Sequence, residues 1–69
     1  MDYSHQLGQR IRAHRETLGI SQEKLAEMVN INKSHLSDLE QGKWNVTFTN
    51  LVKISQGLNV SLSELLKDM

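Results

Sequence analysis

Residues 20–42 read ISQEKLAEMVNINKSHLSDLEQG, and this stretch decides the fold. Its first half carries Leu25, Ala26, Met28 and Val29 and its second Leu36 and Leu39, apolar positions at helical rather than strand spacing. Only Asn30, Ile31 and Asn32 separate the halves, so a helix over 22–29 must turn sharply into a helix over 33–41. Ala26 removes bulk where the two helices would meet. On a helical wheel with Lys33 at the origin, Leu36 and Leu39 fall at about 300° and about 240°. Lys33, Ser37, Gln41, Ser34 and Asp38 fill an arc of about 140°. The second helix would therefore bury a narrow stripe and hold a polar arc in solvent.

The same punctuation repeats outward from this stretch. An apolar residue, then Ser, Thr or Asn, then Leu four positions on, occurs at Ile20-Ser21 with Leu25, Ile31-Asn32 with Leu36, Val46-Thr47 with Leu51, and Val60-Ser61 with Leu65. The polar residue can cap a helix by accepting from an orphan N–H, and the flanking apolar pair has the spacing of a hydrophobic staple. Glu64 adds the partner of a Ser61 capping box. Gly19, Asn30, Gly42 and Asn59 are residue types that end helices in a left-handed conformation. Helices are expected over roughly 4–18, 22–29, 33–41, 48–58 and 62–68. Their apolar faces comprise Leu7, Ile11, His14 and Leu18 in the first, Phe48, Leu51, Ile54 and Leu58 in the fourth, and Leu62, Leu65, Leu66 and Met69 in the fifth. No stretch alternates like a strand. The expected fold is all-α, a single five-helix domain over residues 1–69.

Sixty-nine residues bury a thin core, about 60% of the surface that the unfolded chain exposes. There is no Cys, hence no disulfide or thiolate metal site, and no apolar run of membrane or signal-peptide length. A soluble, cytoplasmic protein is expected, without membrane, cofactor, metal or small-molecule partner. Eight basic side chains balance eight acidic ones, which argues against an indiscriminate nucleic-acid binder but says little about one that uses a single face. His5, His14 and His35 are spaced too widely for a metal-ligand pattern. Ser21 has neither a His–acid pair nor a strained turn to make it a nucleophile. Catalysis is not expected. His14 reads as a core histidine and His35 as a residue packed at the helix edge.

Residues 20–66, ISQEKLAEMVNINKSHLSDLEQGKWNVTFTNLVKISQGLNVSLSELL, resemble the helix-turn-helix family of lambdoid phage repressors and Cro proteins. XRE-type bacterial regulators and restriction–modification controller proteins belong to the same family. The matching pieces are Ser21-Gln22 before Leu25-Ala26, Leu39-Glu40-x-Gly42, and Leu58-x-Val60-Ser61-Leu62, and the likeness runs from about Leu7 to Leu66. It implies a sequence-specific transcriptional regulator that binds double-stranded DNA as a homodimer, with helix 33–41 in the major groove. The polar arc would then read bases through Lys33, Ser34, Ser37 and Asp38. By the same resemblance Gln22 grips a phosphate at a helix N-terminus, and Asn32, Gln41, Lys43, Trp44 and Asn45 clasp phosphates on the other side. It also pairs Arg15 with Glu40, which each lie about 70° from the centre of their apolar stripe. Leu62 and Leu65 would face the core, leaving Leu66 and Met69, with Val46, as the dimer edge.

Several positions stay open. Trp44 reads equally as a lid on the core or as a DNA contact, and all four apolar residues of the last helix could be core. Asp38 stands where many relatives carry Arg, Lys or Gln. It must accept from cytosine N4, pair with Lys33 or Arg10, or stay out of the groove. Val46 replaces a common Pro, and Gly57 inside the fourth helix costs about 1 kcal/mol relative to Ala unless a close contact requires it. Neutral charge favours an alternative, a protein–protein module or antitoxin-type subunit on the same fold. Met1 is expected as a native start. A second, ligand-sensing domain is not expected, and the end directly after the last helix suits either a minimal regulator or the N-terminal domain of a longer one.

Overall fold

The computed structural model describes residues 3–69. Met1, read above as a native start, lies outside them. Five helices follow one another: α1 Tyr3–Thr17, α2 Gln22–Val29, α3 Lys33–Glu40, α4 Phe48–Gly57 and α5 Leu62–Leu65. All four expected N-caps form. Ser21 accepts from Lys24 N–H at 3.0 Å, Asn32 from Ser34 N–H at 2.8 Å, Thr47 from Asn50 N–H at 3.2 Å and Ser61 from Glu64 N–H at 3.0 Å. Among the described residues Ser61 N–H donates no return bond to the Glu64 carboxylate, so the capping box is half made. The four expected stops all adopt positive φ: Gly19 at 71°, Asn30 at 57°, Gly42 at 77° and Asn59 at 58°.

Packing closes into a ring, with α1 on α3, α3 on α2, α2 on α4, α4 on α5, and α5 back on α1. Its centre is filled by Ile11, Leu25, Leu36, Leu39, Ile54, Leu58 and Leu65, all fully buried. The staple residues Ile20, Ile31, Val46 and Val60 pack against that centre from the rim. Gly57 is explained by a close contact: a Cβ there would overlap the Val29 side chain and lie 3.2 Å from Leu25 Cδ1. The missing methyl lets α2 and α4 touch.

Several expected core positions are not fully buried. Leu18 is 48% exposed because α1 stops at Thr17 and Leu18 lies in the turn beyond the helical wheel. Met28 is 50% exposed: the buried face of α2 is Leu25, Ala26 and Val29, and Met28 points about 100° away from its centre. Phe48 is 71% exposed, since the first turn of α4 has not yet reached the core. His14 is half-buried rather than enclosed. The last helix ends at Leu65, three residues short of the expected 68, and tightens into i→i+3 bonds from Lys67 N–H to Glu64 and from Met69 N–H to Leu66. Of its stripe only Leu65 is fully buried. Leu62 and Leu66 are half-buried and Met69 is exposed.

Candidate nucleic-acid interface

The turn between α2 and α3 is made by local bonds. Asn30 takes the left-handed conformation, Ile31 N–H reaches back to the Ala26 carbonyl at 3.0 Å, and Asn32 caps the next helix. This sets α3 with Leu36 and Leu39 inward and Lys33, Ser34 and Asp38 outward in solvent, while Ser37 is half-buried. Ser37 Oγ accepts from Gln41 Nε2 at 3.1 Å. Gln22, Lys33, Ser34, Ser37 and Asp38 line one shallow open depression. Asp38 forms an ion pair with neither Lys33 nor Arg10. Lys33 Nζ lies 3.7 Å from Glu23 Oε2, and Arg10 donates to the Leu65 carbonyl at 3.4 Å. The polar arc is thus an exposed, chemically mixed face with one acid and one base within it.

Behind that face α1, α2 and α3 meet on a single carboxylate. Arg15 Nε donates to Glu40 Oε2 at 2.8 Å and Arg15 Nη2 to Oε1 at 3.1 Å, a bidentate pair. Gln22 Nε2 donates to the same Oε1 at 3.0 Å, and Arg15 Nη1 donates to the Ile20 carbonyl at 2.8 Å. The Glu40 side chain is 3% exposed and that of Arg15 12%. The hydrogen bonds that Arg15 donates to Glu40 raise the Arg15 pKa above its ordinary value, against the lowering effect of burial. A raised value keeps the guanidinium charged up to strongly alkaline pH, so the pair's contribution on this side is lost only there. Gln22, expected as a phosphate ligand, therefore spends one amide N–H on Glu40 and keeps the other. Gly8 lets α1 approach the end of α3, because a Cβ there would collide with the Leu39 carbonyl and sit 2.7 Å from the backbone carbonyl oxygen of Glu40.

The remaining expected contacts fall at the two ends of α3. Asn32 lies at its start with its side-chain oxygen engaged in the cap. Gln41, Lys43, Trp44 and Asn45 lie beyond its end, where Lys43 N–H bonds the Asp38 carbonyl at 2.8 Å. Lys43 and Asn45 are exposed, whereas Trp44 is half-buried, packs on the core and stacks on His35 with ring centroids 5.0 Å apart. Of the expected dimer edge, Val46 and Met69 line one depression together with Tyr3, Leu7, Trp44 and Leu51, but Leu66 does not. Tyr3, 57% exposed beside Met69, was not singled out from the sequence. Neither was Glu23, whose meeting with Lys33 depends on the crossing of two helices and leaves no mark in spacing. No helix among the described residues is long and apolar enough to cross a membrane, and none of their His, Asp and Glu side chains cluster as a metal site.

This geometry has close counterparts. The control protein C.MunI from Mycoplasma sp is 40% identical over 58 residues, 84% of this chain and 78% of that protein. The restriction–modification controller protein C.AhdI from Aeromonas hydrophila superposes with a TM-score of 0.89 at 33% identity, covering 91% of both chains. The P22 c2 repressor, solved in complex with a synthetic operator, superposes with a TM-score of 0.81 at 35% identity, covering 91% of this chain and 96% of that one. A family described as helix-turn-helix matches residues 11–65. The chain belongs to the helix-turn-helix family, alongside restriction–modification controllers and phage repressors.

Proposed function

We propose that the protein is a sequence-specific DNA-binding transcriptional regulator of the controller or repressor kind, and that it acts as a homodimer in the cytoplasm without catalysis. One observation carries this reading. Lys33, Ser34 and Asp38 stand outward on a helix whose inner face is fastened by the Arg15–Glu40–Gln22 network. A rigid helix with small and charged side chains forward can match the donor and acceptor pattern of major-groove base edges. Lys33 would donate to guanine O6 or N7, Asp38 would accept from cytosine N4, and Ser34 and Ser37 would do either. Gln22 with its free N–H, Asn32 and Gln41, then Lys43, Trp44 and Asn45, would fix the register on phosphates. The kinship with the P22 c2 repressor, which was solved on an operator, supports this orientation.

The dimer follows from energetics. An eight-residue helix on a chain with no net charge reads few base pairs and gains little from general phosphate attraction. Two copies on a pseudo-palindrome, with reading helices about 34 Å apart, supply the missing contacts. Val46 and Met69, which share one depression, and Leu66, which lies outside it, are the proposed seam. Selection of bound duplexes from random DNA, followed by sedimentation of protein with the selected site, tests both parts. A recurrent two-fold site bound by two chains is expected. Retention of no duplex would return the chain to the class of protein–protein modules, a saturating 1:1 complex would remove the dimer, and a Leu66→Asp chain that still dimerises would remove Leu66 from the seam.

A further inference from the structure

We infer that His35 is a positioning residue for DNA binding, holding the loop after the reading helix through its stack on Trp44; this rests on the regulator reading proposed above. The backbone after α3 is bonded only as far as Lys43, whose N–H meets the Asp38 carbonyl at 2.8 Å, and order resumes when Thr47 caps α4. Among the described residues no backbone hydrogen bond joins residues 44–46 to any helix. The loop is therefore placed by side chains: Val46 and Trp44 pack on the core, and the Trp44 ring lies 5.0 Å from the His35 ring at an interplanar angle of 29°. A stacked aromatic pair stabilises its arrangement beyond what its buried area alone supplies. For a three-residue span without ladder bonds, that is enough to choose one conformation among several.

The consequence falls on the neighbours of Trp44. Lys43 and Asn45 flank it in sequence, are exposed, and are among the groups proposed to clasp phosphates. With the indole pinned against α3, their approach to the backbone of the DNA is set by the same helix that reads the bases. A loop freed from His35 no longer holds Lys43 on its phosphate, which weakens binding without altering base preference. His35 thereby ties phosphate positioning to base reading through Trp44, touching no nucleotide itself.

The test compares the wild-type chain with His35→Ala and His35→Phe, using the selected duplex and an unrelated one over a range of salt. Trp44 is the chain's only Trp, so its emission reports the stack directly. The expected result for His35→Ala is red-shifted emission, roughly tenfold weaker binding of both duplexes near 0.1 M salt, and a salt slope lowered by about one, with the ratio between duplexes kept. His35→Phe, which can stack but cannot donate a hydrogen bond, should restore emission, affinity and slope. Melting and circular dichroism of each variant without DNA separate this from unfolding. A His35→Ala chain that binds like wild type overturns the inference, as does a His35→Phe chain as weak as His35→Ala, which would make the imidazole a direct contact. Wild-type chain that binds neither duplex overturns the regulator reading and the inference with it.

Discussion

The inner face of α3 and the loop that follows it lie a few residues apart and are held by different chemistry. Behind the helix, one enclosed carboxylate takes three hydrogen bonds from two other helices. Beyond Lys43, the loop rests on one aromatic stack and two apolar side chains at the rim of the core. The first arrangement is all-or-none, since a partner removed leaves a charge in a poorly solvated place. The second is graded, because stacking and rim packing weaken in steps. The helix proposed to read bases is thus held all-or-none and the margin proposed to clasp phosphates is held by graded contacts, within a single chain that has almost no core to spare.

The sharpest way to break this contrast is Glu40→Ala. It strands the Arg15 guanidinium and frees Gln22, so a loss of about 3 kcal/mol or more is expected. In a domain of this size that lowers the melting temperature by some 12–25 °C. A melting curve within a degree or two of wild type would show that the network is no stiffer than the loop. Next is Gly8→Ala, which forces a methyl onto the Leu39 and Glu40 carbonyls. About 1–3 kcal/mol of stability should be lost. Because the strain pushes on α3, discrimination between selected and unrelated duplexes should fall as well, which competition binding would record.

A smaller and more selective effect separates reading from clasping. Lys33→Ala should relax preference at one base pair by about 1–3 kcal/mol, whereas Lys43→Ala should weaken every duplex alike and lower the salt slope by about one. Competition against single-base variants of the selected site measures both. Lost discrimination from Lys43→Ala, with none from Lys33→Ala, would mean the two roles are exchanged. Least of all should come from Phe48→Ser. With 71% of Phe48 exposed, melting of the free chain should move by no more than about 0.5 kcal/mol. A larger loss would place this ring in the folded core after all.

What could be read without coordinates was local. Ser21, Asn32, Thr47 and Ser61 bond groups two or three residues away, and Gly19, Asn30, Gly42 and Asn59 answer only to their own φ. Such interactions are complete within one turn of chain, so the residues that make them are also the evidence for them. The division into five helices and the outward arc of α3 follow from that. The Arg15–Glu40 pair became visible because a family likeness joined two border positions that spacing alone leaves unconnected.

Tertiary structure decided the rest. Leu18, Met28 and Phe48 look like core on composition and are exposed, because burial depends on where a neighbouring helix ends and not on the residue's own hydrophobicity. Gln22 was legible as the first residue of a helix but not as a donor to Glu40, and Glu23 carried no sign of lying beside Lys33. Val46 and Met69 share a depression that Leu66 does not reach, since α5 stops after one turn and its wheel ceases to apply. The physical reason is common to all of them. The sequence by itself determined caps, stops and periodicity, which are settled over a few bonds. The distances between side chains on different helices are set by how the ring of helices closes, and Gly8 and Gly57 help decide that closure by the methyl groups they lack.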